Sequence, residues 1–204
     1  GMIKIQYTTD VEIQKDYKDG HIIKENSNTQ IDFNAIAQGF TVDLVGEHLQ
    51  KIGLTNYMIE IGGELKCSGL NGDEKPWRIG IDKPSEEIQK ERHLAIIEVS
   101  NNSVASSGNY RKLKIDQETG IKYAHTINPK TGMPTITDLL SVTIVSESCM
   151  QADAIATACM VMGKEKSINY IISKPQIDAL LIYSGPKGEW IKYQTEGFKK
   201  MRIY

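Results

Sequence analysis

A membrane-crossing helix needs about 18 or more consecutive apolar residues, and no run in this 204-residue chain approaches that length. A surplus of one charge is missing too. The formal net charge is -2, which gives no electrostatic case for nucleic acid or an acidic membrane surface. Cysteine is scarce. Cys67, Cys149 and Cys159 are odd in number and widely spaced, so they fit neither a zinc pattern nor a disulfide framework and read as free thiols in apolar surroundings. No repeat, low-complexity linker or signal-peptide pattern is visible, and the start, GMIKIQYTTD, is polar and alternating. Gly1 ahead of Met2 has the form of a scar left by tag cleavage, so the missing signal says little about compartment. What is present is an ordinary globular composition, 40% hydrophobic and 25% charged. The length suits one domain, 1–204, with a sizeable core.

The most informative stretch is SVTIVSESCMQADAIATACMVMG, Ser141 to Gly163. Leu139 to Val145 is aliphatic and β-branched, as a buried strand would be. Ser148 and Gln151 have capping-box spacing, the helix from Ala152 to Met162 is small and apolar, and Gly163 is a natural stop. Asp153 is the one charge in that helix, and Thr157 follows four residues later on the same face. Two readings fit. The pair suits a hard cation that carries phosphates, because Mg²⁺ takes one or two carboxylates and completes its shell with water and phosphate oxygens. Alternatively, Asp153 favours the helix dipole and Thr157 packs.

Along the rest of the chain, Ile3, Ile5 and Tyr7 alternate as in a half-buried strand, and a hairpin is expected near Asp19 and Gly20. Ile31 to Phe33 ends a strand. A helix follows from about Ala35 to Ile52, with Ile36, Phe40, Leu44, Val45, Leu49 and Ile52 as its inward stripe. Asp32 and Gln38 lie off the stripe, at a junction that exposes backbone groups to ligands, and Gly39 permits close approach of a backbone or a ligand. Tyr57 to Ile61 is a strand broken by Gly62 and Gly63, which either bulge or admit a ligand. Trp77 to Ile81 and His93 to Ser100 are strands. Ser103 to Tyr110, SVASSGNY, reads as a loop or tight turn. His125 precedes the turn-forming Asn128-Pro129 and Thr131-Gly132; a lone His there is either structural or catalytic. Lys164 to Lys174 is a helix with Ile168, Ile171 and Ile172 inward. Ile177 to Tyr183, Glu189 to Gln194 and Phe198 to Ile203 are terminal strands. Runs of strands between a few helices predict an α+β class with a largely antiparallel sheet.

In order, IDFNAIAQGF, EIGGELKCSG, PWRIGIDKP, SVASSGNY, HTINPKTGMP and the Asp153 helix resemble the ApbE family, the FAD:protein FMN transferases. The resemblance covers roughly Ile31 to Gly163, and its most specific parts are the His-Thr-Ile-Asn-Pro-Lys-Thr-Gly segment and the Ala-Asp-Ala-Ile-Ala-Thr helix. It implies T-fold-like packing of helices on antiparallel sheets. It also implies a Mg²⁺-dependent reaction in which FMN passes from FAD to a Thr or Ser hydroxyl of an acceptor protein and AMP leaves, a post-translational flavinylation. The acceptors it implies are subunits of redox-driven ion pumps and related flavoproteins, with the enzyme in the cell envelope on the periplasmic side.

The resemblance carries roles onto particular residues. Asp153 and Thr157 are similar to the side-chain ligands of Mg²⁺, and the Ala35 carbonyl to a backbone ligand. Asp32, Gln38 and Ile127 occupy FAD-contact positions, and His125 matches the motif histidine expected to take the acceptor's proton, while Asp153 completes the catalytic pair. Gln38 stands where many members have Lys or Glu, and Asn109 and Asn128 where Asp is frequent. Family members also have a longer N-terminal region, so the chain resembles the C-terminal two-thirds of one. Two other functions remain open at this point: an FAD pyrophosphatase that yields FMN and AMP, and a non-catalytic flavin-binding module.

Overall fold

The computed structural model describes residues 32–85, 92–108, 114–115, 122–123, 126–135 and 137–204. The strand around Ile3 to Tyr7, the hairpin near Asp19 and the positions of Asn109 and His125 lie outside these residues. In chain order the elements are α1 (Ala37–Lys51), β1 (Tyr57–Ile61), β2 (Glu64–Ser68), β3 (Trp77–Asp82), β4 (His93–Val99), β5 (Asn102–Gly108), β6 (Lys114–Ile115) and β7 (Lys122–Tyr123). They continue with β8 (Leu139–Ser146), α2 (Cys149–Met162), α3 (Lys164–Ile172), β9 (Asp178–Ser184), β10 (Trp190–Gln194) and α4 (Glu196–Met201).

Six strands form one antiparallel sheet in the order β1-β2-β5-β8-β9-β10. The α+β class expected from the sequence is the class observed, and the sheet is the middle of three layers. On one face, α2 and α3 pack on Ala105, Val142, Ile144, Ala179 and Leu181. On the other, the antiparallel β3–β4 hairpin and Phe198 of α4 pack on Val104, Val145, Leu180 and Ile182. The two sets alternate along each strand because successive side chains point to opposite faces. Strand β8 is covered on both, which is why it reads as a nearly continuous aliphatic run rather than an alternating one.

Four sequence expectations are corrected. Ser103 to Gly108 is not a loop but part of β5, paired along its length by β8 and at Ser103 and Val104 also by β2. Its small residues are there because α2 packs directly over it, with Ala105 facing that helix core. Phe198 to Ile203 is not a strand. Thr195 caps a helical turn by accepting from the Phe198 amide at 3.3 Å, and Phe198 is fully buried. After that turn, Ile203 and Tyr204 pair with β4: the Ile203 amide donates to the Ile96 carbonyl at 2.9 Å, and the Ile96 amide donates to Tyr204 at 3.1 Å.

The inward stripe of α1 is a third correction. Phe40 and Leu44 are 48% and 47% exposed, and the helix buries Gly39, Val42 and Gly46 instead. Two bare glycines let the α1 backbone lie closer to its neighbours than any apolar side chain would allow. A Cβ on Gly39 would stand 2.5 Å from the Cys149 carbonyl oxygen, so the close approach expected there is made by a backbone. On α3, Ile171 is inward but Ile172 is 65% exposed, because it falls past the face that meets the sheet.

Candidate active site

Helix α2 starts where β8 ends, and its first turn is held by an acid from another element. Asp43, on α1, accepts from the Cys149 amide at 3.1 Å, the Met150 amide at 3.0 Å and the Ser148 hydroxyl at 2.8 Å, and it pairs with the Lys66 ammonium at 2.7 Å. Ser148 in turn accepts from the Gln151 amide at 3.3 Å, the cap expected from the sequence. Burial pushes the Asp43 carboxyl up, but Lys66, the two amides and Ser148 outweigh it and hold it below the ordinary carboxylate value. This clasp fixes α1 across the N-terminus of α2.

One turn back along α1 and one turn further along α2 the contact changes character. The Gly39 amide donates to Asp153 Oδ2 at 3.1 Å, so the crossing that needs glycine also anchors the one acid of α2. Asp153 is 5% exposed, and its carboxyl is pushed up by burial and drawn partly back by that amide. Thr157 lies on the same face of the helix, its hydroxyl 3.1 Å from that of Ser107 on β5. Glu64, 7% exposed and at the start of β2, lines the same cleft. The turn before it, Gly62-Gly63, has positive φ at both residues, 67° and 109°, and closes the β1–β2 hairpin with two residues. Burial, then the charges of Asp153 and Glu60, push the Glu64 carboxyl up to about 7.

These groups wall a cleft of about 520 Å³ with Asn34, Ala37, Gln38, Gly62, Ser106, Gly108 and Thr126. A second cleft of about 500 Å³, with Arg78, Arg92 and His93 in its wall, shares Gly62 and Ser106 with the first. No Lys, Arg or His is among the described residues lining the first cleft. Its donors are carboxylate, hydroxyl and amide oxygens, so it disfavours a bare polyanion and suits a hard cation that brings an anion with it. No cluster of three or more His, Cys, Asp or Glu side chains is placed to hold a metal among the described residues. Any cation here would need hydroxyls, carbonyls and its cargo's own oxygens.

The sequence-predicted residues divide accordingly. Asp153, Thr157 and Gln38 come together in the wall. Ala35 sits in the turn between the lining residues Asn34 and Ala37. Asp32 is exposed, and it accepts from the Asn34 amide at 2.7 Å rather than lining the cleft. Ile127 is exposed beside the lining residue Thr126, in a bridge to Pro134. The turn that follows is formed as expected, with the Gly132 amide donating to the Asn128 carbonyl at 2.8 Å. His125 lies outside the described residues. Sequence reasoning missed Glu64, Ser107 and Asp43. The signal for Glu64 was its place directly after a Gly-Gly turn; Ser107 was hidden by reading its strand as a loop.

The sequence profile of the ApbE family matches residues 2–181. The chain is 40% identical over 176 residues to the FAD:protein FMN transferase of Vibrio cholerae, covering 86% of this chain and 51% of that protein. It is 38% identical to the Haemophilus influenzae protein of the same name, covering 84% and 48%. Among solved structures, the flavin transferase ApbE from Vibrio cholerae superposes with a TM-score of 0.72 at 40% identity, over 84% of this chain and 52% of that one. The ApbE protein of Thermotoga maritima gives 0.72 at 26% identity, over 86% and 54%. The chain thus spans about half the length of the curated relatives it matches.

Proposed function

This chain belongs to the ApbE family, and on that premise we propose that it transfers FMN from FAD to a Thr or Ser hydroxyl of an acceptor protein. The acceptor oxygen bonds to the FMN phosphorus, the pyrophosphate P–O bond breaks, and AMP leaves. The observation that carries this reading is the cleft: an oxygen-lined wall with Asp153, Thr157 and Glu64 and no cationic side chain among its described residues. It stands in a chain that is 40% identical to an FMN transferase.

The donor set fits Mg²⁺, which would be held by the Asp153 carboxylate, the Thr157 hydroxyl and the Ala35 carbonyl. When bound, it would neutralise charge that develops on the pyrophosphate oxygens. The chain's own part is positioning. The Gly39 amide fixes one oxygen of Asp153, and Ser107 fixes the Thr157 hydroxyl. Gln38, which lines the cleft, offers the nucleotide a neutral amide, and in this reading Asp32 and Ile127 contact it as well. His125 takes the acceptor proton. In this reading the acceptor is a subunit of a redox-driven ion pump or a related flavoprotein at the periplasmic face of the envelope.

The test is intact-mass spectrometry of a Thr-containing acceptor peptide incubated with the chain, FAD and Mg²⁺, with nucleotides followed in the same tube. A mass gain equal to FMN with equimolar AMP, both lost on adding a chelator, is the expected result. AMP and FMN without labelled peptide would replace transfer by hydrolysis. No turnover by a folded chain would overturn both.

A further inference from the structure

Glu64 is the anomaly of the site. Its Oε2 is buried and has no hydrogen-bond partner, one of two such side-chain atoms among the described residues. A buried carboxylate oxygen without a partner is costly, and proteins retain one where a proton or a cation completes it. The nearest lysine along its own strand, Lys66, is committed to Asp43 at 2.7 Å. The position also looks built rather than incidental. Oε2 lies 3.6 Å from where a Cβ on Gly62 would stand, and the Gln38 amide overhangs the same bare Cα. With Asp153 and Thr157 in the same wall, Glu64 makes the cleft a site of two carboxylates.

We propose that Glu64 is a second carboxylate donor to the cation site of Asp153 and Thr157, bound to the ion directly or through one water. The assignment rests on the cation-dependent reading given above. Its role is to set the affinity for the ion before any nucleotide arrives. It also brings a second negative charge to the cleft from β2, so that the ion is not held by α2 alone.

The probe is Mn²⁺ alone, titrated into the full chain and its variants and followed by electron paramagnetic resonance, with thermal unfolding in parallel. Glu64→Gln keeps the shape and removes the charge. It is expected to weaken Mn²⁺ binding by about ten- to a hundredfold. The midpoint without metal should hold or rise, because an unpaired buried charge has gone, while the rise in midpoint that Mn²⁺ produces should shrink. A merely structural Glu64 would instead lower the midpoint without metal. Mn²⁺ affinity within about twofold of the unaltered chain would overturn the assignment, since outer-sphere partners alone change affinity by more than that. Asp153→Asn separates the two failures. If it abolishes binding and Glu64→Gln does not, only the Glu64 assignment falls. If Asp153→Asn leaves binding unchanged, or the unaltered chain binds no Mn²⁺, the cation site falls with it.

Discussion

Two places around the α1–α2 contact hold acids in opposite states, a half-buried Asp43 and a buried pair, Asp153 and Glu64 of β2. At one, Asp43 has every donor it can use: two amides, a hydroxyl and an ammonium. At the other, Glu64 has a buried oxygen with none, and Asp153 has a single amide from Gly39. The first site is complete without a ligand and holds the helices in place. The second is left short of positive charge, and the electrostatic deficit faces a cleft. Partnership, not residue type, separates an acid that holds a fold from an acid that waits for something to bind.

That contrast should break most sharply at Asp153. Replacing it with Asn is expected to cut FMN transfer by about a hundredfold or more, because a bound cation is worth several kcal/mol of charge stabilisation. The unfolding midpoint should barely move; product formation and thermal melts on the same sample check both. A variant that lost stability and activity together would make Asp153 a packing residue.

Asp43→Asn should do the reverse, costing about 2 kcal/mol of stability, since it leaves Lys66 half-buried without its counter-charge. The pH dependence sharpens the point. The Asp43 carboxyl is held below its ordinary value in the fold. The stability it contributes is therefore present above its unfolded value, about 3.9, and is lost as pH falls through the lower folded value. Denaturant unfolding from pH 6 down to pH 2 should show a shallower acid-side loss in Asp43→Asn than in the unaltered chain. Equal slopes would remove Asp43 from the account.

Gly39→Ala sits between the two sites and should disturb both. Its methyl would meet backbone at Cys149 and Met150, so the helices must shift, at about 1–3 kcal/mol by the usual penalty for overpacking. The Asp153 contact should loosen with them. Melting temperature together with Mn²⁺ affinity reads both effects, and a fully stable variant with unchanged affinity would show that the crossing tolerates a side chain.

The parts of this molecule that could be read from sequence are those whose pattern is local. The β8–α2 unit announces itself by an aliphatic run, a serine cap and a terminal glycine, and the spacing of Asp153 and Thr157 is a property of one helix. Glu64 could not be weighed that way. Its place depends on a hairpin that brings it into one cleft with a helix about ninety residues away. Asp43 lies mid-helix in no pattern, and its partners come from two other elements. The α1 stripe misled because the helix is seated by its glycines, which hydrophobic periodicity does not count. The α4 segment misled because one buried phenylalanine and a threonine cap outweigh the alternation of its neighbours.

The contact of Ile203 and Tyr204 with Ile96 makes a mechanical link of the segment after α4. Strand β4 carries Ala95, Ile97 and Val99 into the core under the sheet, and its partner β3 supplies Arg78 to the wall of the second cleft. Tension applied beyond α4 is therefore delivered to that hairpin before it reaches the central sheet. Losing the Ile203 and Tyr204 contacts would loosen the wall of a cleft while leaving the helices that carry Asp43 and Asp153 where they are.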